Sequence, residues 1–270
     1  MAQEKLPSLR SRLPLHKFLR HLNLLMELFF APQRQINLAS NTLTLIEQEF
    51  LHATKVLRHK IGESIHCVDG LGTRYDAVIE AIEKHSLSAK IIGTDVQEQP
   101  RTRVSIGISL TKSADRFENF LEKSTELGIS EILPMVTERT VSRPNEHKRE
   151  GKNERWEKII LSACKQSQRY HFPKLHPIQR FADVLKRNDE LKLIPYEFST
   201  KQGLPSMIGA RVLFLIGPEG GFTPEEVIIA KTHGFKEVSL GKTILRVDTA
   251  GIFALSLVRA EELRVANFQS

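Results

Sequence analysis

Five apolar residues in a row, Val212-Leu213-Phe214-Leu215-Ile216, run straight into Gly217-Pro218-Glu219-Gly220-Gly221-Phe222 and then into Thr223-Pro224-Glu225-Glu226. The last four form a helix start: Thr223 as N-cap, Pro224 at the first helical position, and Glu226 placed to close a capping box. A strand with no polar face is buried on both sides, as in a parallel sheet covered by helices. In such sheets ligands bind beyond the carboxyl ends of the strands. Glycine lets a backbone approach a ligand closely, so three glycines around the lone carboxylate of Glu219 weigh toward a binding loop over a purely structural turn.

The rest of the chain extends this frame. From residue 103 onward, strands are expected at Val104–Leu110, Ile132–Val136, Leu191–Tyr196 and Val212–Ile216. Helices are expected at Ala114–Leu127, Trp156–Arg169, Thr223–His233 and Val247–Leu263, with a charged loop over Ser142–Arg155. Alternating strands and helices give an α/β domain with a parallel sheet. Residues 26–98 read differently, as a small β-rich barrel or sheet. Met26–Phe30 is its first strand, Ser64–Val68 and Tyr75–Ile82 form a hairpin across Asp69-Gly70-Leu71-Gly72, Ser88–Ile92 pairs on, and a helix covers Glu47–Arg58. The boundaries are therefore an extension over 1–25, a β unit over 26–98 and an α/β unit over 99–270.

A second glycine-bearing loop follows a short strand, Glu237–Leu240, and also opens a helix: Gly241-Lys242-Thr243-Ile244-Leu245-Arg246-Val247-Asp248. It is not a phosphate-binding P-loop, because residue 236, where that motif needs glycine, is Lys236. Arg246 and Asp248 are an ion pair, a helix cap or site residues. The helix at Ser162–Arg169 carries Gln166 and Arg169 on its polar side, good donors for phosphate or base edges, and Cys164 on its packed side. No GxGxxG and no GxSxG is present.

The chain has 39 Lys and Arg against 32 Asp and Glu, a surplus of +7 that fits a polyanionic partner. Two distant cysteines, Cys67 and Cys164, make no disulfide framework and suit a reducing, cytoplasmic setting. No metal-ligand spacing occurs. Arg10, Arg12, Lys17 and Arg20 precede an apolar stretch, Leu22–Ala31, but Asn23 and Glu27 interrupt it, so no signal peptide and no membrane span is expected.

Five motifs in order resemble the RsmE family of ribosomal RNA methyltransferases, within the SPOUT superfamily. They are His52 with Val56-Leu57-Arg58 and Gly62; Lys112-Ser113-Ala114-Asp115-Arg116-Phe117 with Glu126-Leu127-Gly128; Arg155-Trp156 through Arg169 to Pro173; Gly217–Phe222; and Leu240–Ala250. Departures are Lys165, Lys242 and Asp248, where the family often has an acidic residue, Arg and Glu. The resemblance implies a trefoil-knotted SPOUT domain behind a PUA-like RNA-binding barrel, a homodimer, and S-adenosylmethionine as cofactor. It further implies methylation of N3 of a uridine in 16S rRNA of the 30S subunit.

On that basis Leu215, Gly217, Pro218, Glu219, Gly220, Gly221, Leu240, Gly241, Ile244, Leu245 and Arg246 wrap the cofactor. Arg246 is the catalytic cation, and Glu219 and Asp248 are the alternative bases. Arg58, Arg74, Arg116, Gln166 and Arg169 are the candidate RNA contacts.

Overall fold

A computed structural model describes residues 27–199 and 203–268; the extension expected over 1–25, and Met26, lie outside them. Two compact units result. Among the described residues, one comprises 27–67 together with Tyr75–Gly93, and the other Val68–Arg74 together with the described residues from Thr94 on.

The first unit is built on a six-stranded sheet in the order β1 (Leu28–Phe30), β4 (Ser64–Val68), β5 (Thr73–Ile82), β6 (Ser86–Val96), β3 (Thr42–Ile46) and β2 (Ile36–Asn37). Alternation in these strands sends Leu43, Leu45, Tyr75, Ala77, Ile79, Leu87 and Ala89 into one core, as a period of two requires. The β4–β5 hairpin turns where expected, and the Asp69 carboxylate accepts from the amides of Leu71 and Thr73 at 2.8 and 3.0 Å. The helix expected over Glu47–Arg58 is shorter. It is α1 (Glu47–Leu51), continued by a π turn at His52–Val56 and ended by Arg58 in the left-handed region at φ 60°.

The second unit is a parallel sheet in the order β10 (Gln179–Arg180), β8 (Glu131–Val136), β7 (Arg103–Ser109), β12 (Arg211–Ile216), β11 (Leu191–Pro195) and β13 (Lys236–Val238), with β9 (Lys174–Leu175) also on β8. Its strands are buried on both faces. Val212, Phe214 and Ile216 join Ile106 and Ile108 under α2 (Ala114–Glu126), α3 (Glu146–Gln166) and α6 (Val247–Phe268). Leu213 and Leu215 join Leu133 and Met135 under α4 (Phe181–Val184) and α5 (Pro224–Thr232). After β13 the chain leaves the sheet edge and returns as α6 against α2, β7 and β12. The knot implied by the resemblance belongs to this return.

The charged loop expected over Ser142–Arg155 is mostly helix, because α3 begins at Glu146. Glu, Lys and Arg favour helix without marking an apolar face, so periodicity gave no sign of it. Pro144 falls ahead of the helix, and a side chain at Gly151 would meet open space.

The carboxyl end of α2 is closed by two arginines, Arg169 just past the end of α3 and Arg259 of α6. Arg169 donates to the carbonyls of Thr125 and Ile129 at 2.8 and 3.0 Å. Arg259 donates to those of Leu127 and Gly128 at 3.0 and 2.6 Å. These groups satisfy the carbonyls that a helix end leaves open.

At the amino edge of the sheet, Glu131 accepts from His176 at 2.6 Å and from Arg187 at 3.0 Å. The His176 hydrogen bond, then Arg187, hold this carboxyl at about 2 against an ordinary 4.5, with burial opposing them. A depressed acid stabilises the fold above its unfolded value and loses that contribution as pH falls through its folded one. A shift of this size corresponds to about 3 kcal/mol; with the side chain 30% exposed, screening leaves about 1–2 kcal/mol. Acid titration of stability for the wild type and Glu131→Gln should show a gap that is constant above pH 4.5 and closes toward pH 2. A gap independent of pH would reject the ion-pair account.

Candidate functional site: a cleft at the carboxyl ends of three strands

The capping box forms as the sequence requires. Glu226 N donates to Thr223 Oγ1 at 3.1 Å, and Thr223 N to the Glu226 carboxylate at 3.0 Å. The other oxygen of the buried Glu226 accepts from the amide of Glu138 at 2.9 Å, so the cap also fixes the loop after β8. That loop is braced from within by the Thr140 hydroxyl, which meets Ser109 Oγ at 2.7 Å and the Thr137 amide at 2.8 Å. From it Arg139 reaches back to donate to the carbonyl of Gly220 at 2.7 Å. The first glycine loop is thus held from both sides. Gly221 sits at φ +65°, where a Cβ would also press within 3.0 Å of the Glu197 carboxylate.

The two glycine loops share one cleft. Gly217, Pro218 and Gly221 line it from the first; Leu240, Gly241, Ile244 and Leu245 line it from the second. A third wall is Pro195, which ends β11, with Tyr196 and Glu197 after it. Sequence reasoning missed this wall, although it too lies just past the end of a buried strand. Ile216, Phe222, Val247 and Ala250 complete an apolar interior. Gly241 adopts φ +122° with open space where a side chain would stand. Among the described residues, the main-chain amides of residues 242–245 have no hydrogen-bond partner. An apolar slot edged by unsatisfied backbone donors suits a flat heteroaromatic ligand with acceptor atoms.

Several expectations need correction. Leu215 points to the opposite face of the sheet and is buried beside Leu133 and Met135, one pleat out of phase with Ile216. Glu219 and Gly220 belong to the loop but do not line the cleft. Glu219 accepts from the Lys112 amide at 2.9 Å. Asp248 accepts from Asn119 Nδ2 at 3.2 Å, while its Oδ1 is buried without a partner. Neither carboxylate therefore faces the cleft. Arg246 lies between the lining residues Leu245 and Val247, its guanidinium exposed and unpaired among the described residues.

Two of the five RNA candidates are engaged within the fold. Arg169 is occupied at the end of α2. Arg74, only 13% exposed, donates to the Tyr170 hydroxyl at 2.7 Å and lies 3.6 Å from Asp95, so it too is structural. Arg58, on the first unit, and Gln166, at the end of α3, are exposed. Arg116 lines a groove beside Glu219. Cys164 is fully buried, and burial pushes its thiol up to about 12, which makes it packing and not a nucleophile. Among the described residues no helix is long and apolar enough to cross a membrane, and no cluster of His, Cys, Asp and Glu could hold a metal ion.

Comparison with known proteins places this architecture. Residues 97–259 match the family model of the RNA methyltransferase domain, and residues 45–92 that of the RNA methyltransferase PUA domain. Ribosomal RNA small subunit methyltransferase E of Bacillus subtilis is 30% identical over 229 residues, covering 80% of this chain and 89% of the relative. The crystal structure of the Neisseria gonorrhoeae enzyme of that name, bound to S-adenosyl methionine, superposes with a TM-score of 0.77 at 31% identity. It covers 87% of this chain and 97% of that one. A Legionella pneumophila methyltransferase solved with SAM gives 0.79 at 29%, with coverage of 87% and 97%. Sequence and fold agree along nearly the whole length of these relatives, and the chain belongs to the RsmE family of RNA methyltransferases.

Proposed function

We propose that this protein transfers a methyl group from S-adenosylmethionine to N3 of a uridine in 16S rRNA of the small ribosomal subunit. The observation that carries the reading is the cleft itself: three loops past adjacent parallel strands, an apolar interior and free amides at residues 242–245. These donors fit the acceptor nitrogens of an adenine, and Ile216, Leu240, Leu245 and Ala250 fit its faces. When bound, the cofactor supplies an electrophilic methyl on a sulfonium, so the chain's own task is alignment and nucleophile activation. N3 of neutral uridine carries a proton. Arg246, at the cleft edge, lowers the cost of the N3 anion by placing a cation beside it. Glu219 and Asp248 face away from the cleft, so the proton leaves to solvent. The N3–carbon bond then forms as the carbon–sulfur bond breaks, its electron pair staying on sulfur. N3 lies on the pairing edge, so the target enters unpaired.

The protein acts as a cytoplasmic homodimer in this reading. Phe198 and Ile244, 72% and 89% exposed around the cleft mouth, are the apolar surface a second copy covers. Incubation with unmodified small subunits and methyl-labelled S-adenosylmethionine, followed by nucleoside mass analysis, should give 3-methyluridine in 16S rRNA. Label in tRNA or on a ribose hydroxyl would overturn the assignment.

A further inference from the structure

The loop Gly217–Phe222 has a second side. Glu219 lines a surface groove with Lys112, Ser113, Arg116 and Val141, none of which lines the cleft. The groove opens at the same carboxyl edge of the sheet, on β7 and β8, next to β12.

Both walls are firmly built. The Lys112 turn is held by its amide on Glu219 at 2.9 Å and by the Thr111 hydroxyl on the Ser113 carbonyl at 2.5 Å. Arg116 lies in the first turn of α2, just past the extended N-cap Ser113, and lines the same groove as Lys112. Neither has a side-chain partner among the described residues. Nearby arginines are engaged: Arg139 with Gly220, Arg143 with the carbonyls of Thr137 and Thr140, and Arg155 with Glu118. The facing wall presents Val141, 70% exposed, directly after the buried Thr140 anchor.

Two unpaired cations facing an exposed apolar side chain fit a nucleotide, with phosphate on the cations and sugar or base against the valine. We propose that this groove holds a backbone phosphate of the RNA strand flanking the target nucleotide, a placement that rests on the function proposed above. Glu219 repels the phosphate from the loop and toward the Lys112–Arg116 rim. The strand then crosses the outer side of the loop while the target base turns over it into the cleft.

The test compares the wild type with Lys112→Ala, Arg116→Ala and the double variant, with Arg116→Lys as the conservative control. Small-subunit RNA binding is measured directly by filter retention across a salt series, alongside methyl-transfer kinetics and calorimetry with S-adenosylmethionine. The double variant should weaken RNA binding about tenfold or more and reduce the log–log salt slope by about 0.7, the loss of one single-strand phosphate contact. Cofactor affinity should stay within about twofold, and Arg116→Lys should retain most RNA affinity, because a phosphate accepts either point charge. Unchanged RNA affinity and slope would overturn the proposal, as would an equal loss of cofactor binding. RNA retention is read without turnover, so this result stands apart from whether the wild type methylates uridine.

Discussion

Arg246→Ala should lower the rate of methyl transfer about 10²–10³-fold or more while leaving S-adenosylmethionine binding within about twofold. The two effects separate because the residue has two independent roles. Its carbonyl accepts from the Ala250 amide at 2.7 Å and begins α6, a role any residue fills. Its guanidinium is exposed and unpaired among the described residues, so removing it breaks no bond that shapes the cleft. Transfer is read with saturating RNA and cofactor, and binding by calorimetry. Arg246→Lys should recover part of the rate, since it restores charge without the planar fork. A variant lacking the guanidinium that transfers methyl at the normal rate ends the role given to Arg246.

Gly251→Val should lower the melting temperature by about 5–10 °C. A Cβ at this position would stand 2.6 Å from Cε2 of the fully buried Phe120 and 3.5 Å from Ile108, where α6 crosses α2. Phe120 has no room to retreat, so the helices must separate, and overpacking of this kind costs about 1–3 kcal/mol or more. In a chain of this length each kcal/mol moves the midpoint by about 2–4 °C. Val247 and Ala250, on the preceding turn, line the cleft, so cofactor affinity should fall with stability. Gly251→Ala should show a smaller change in both. An unchanged melting temperature would mean that α6 does not pack as closely as described.

The sequence made the strands legible where burial was two-sided and the loops legible where glycine and capping chemistry coincided. The Thr223 cap formed as read, and the loops at Gly217 and Gly241 met in one cleft. Other features depended on pairings distant in sequence. Pro195-Tyr196-Glu197 carries no glycine and no charge pattern, and becomes a cleft wall only because β11 lies between β12 and β13. Leu215 adjoins the loop in sequence and the resemblance assigns it to the cofactor, yet one step of the pleat turns it away. Arg74 and Arg169 read as RNA contacts in the sequence because an unpartnered arginine and a buried one look alike in a string of letters. Their partners, Tyr170 with Asp95 and the carbonyls at the end of α2, lie far along the chain. The helix from Glu146 to Arg155 hid behind an evenly polar face. The threading of a knot leaves no mark in periodicity at all.

The cleft draws its walls from β11, β12 and the stretch after β13, and closes only when α6 has come back across the sheet. A nascent chain paused before that stretch emerges from the ribosome has no pocket to fill, however well its earlier strands have paired. Methyl-donor capture is therefore confined to finished molecules. A truncated product lacking its last helix would neither sequester the metabolite nor gain the thermal protection that ligand occupancy confers.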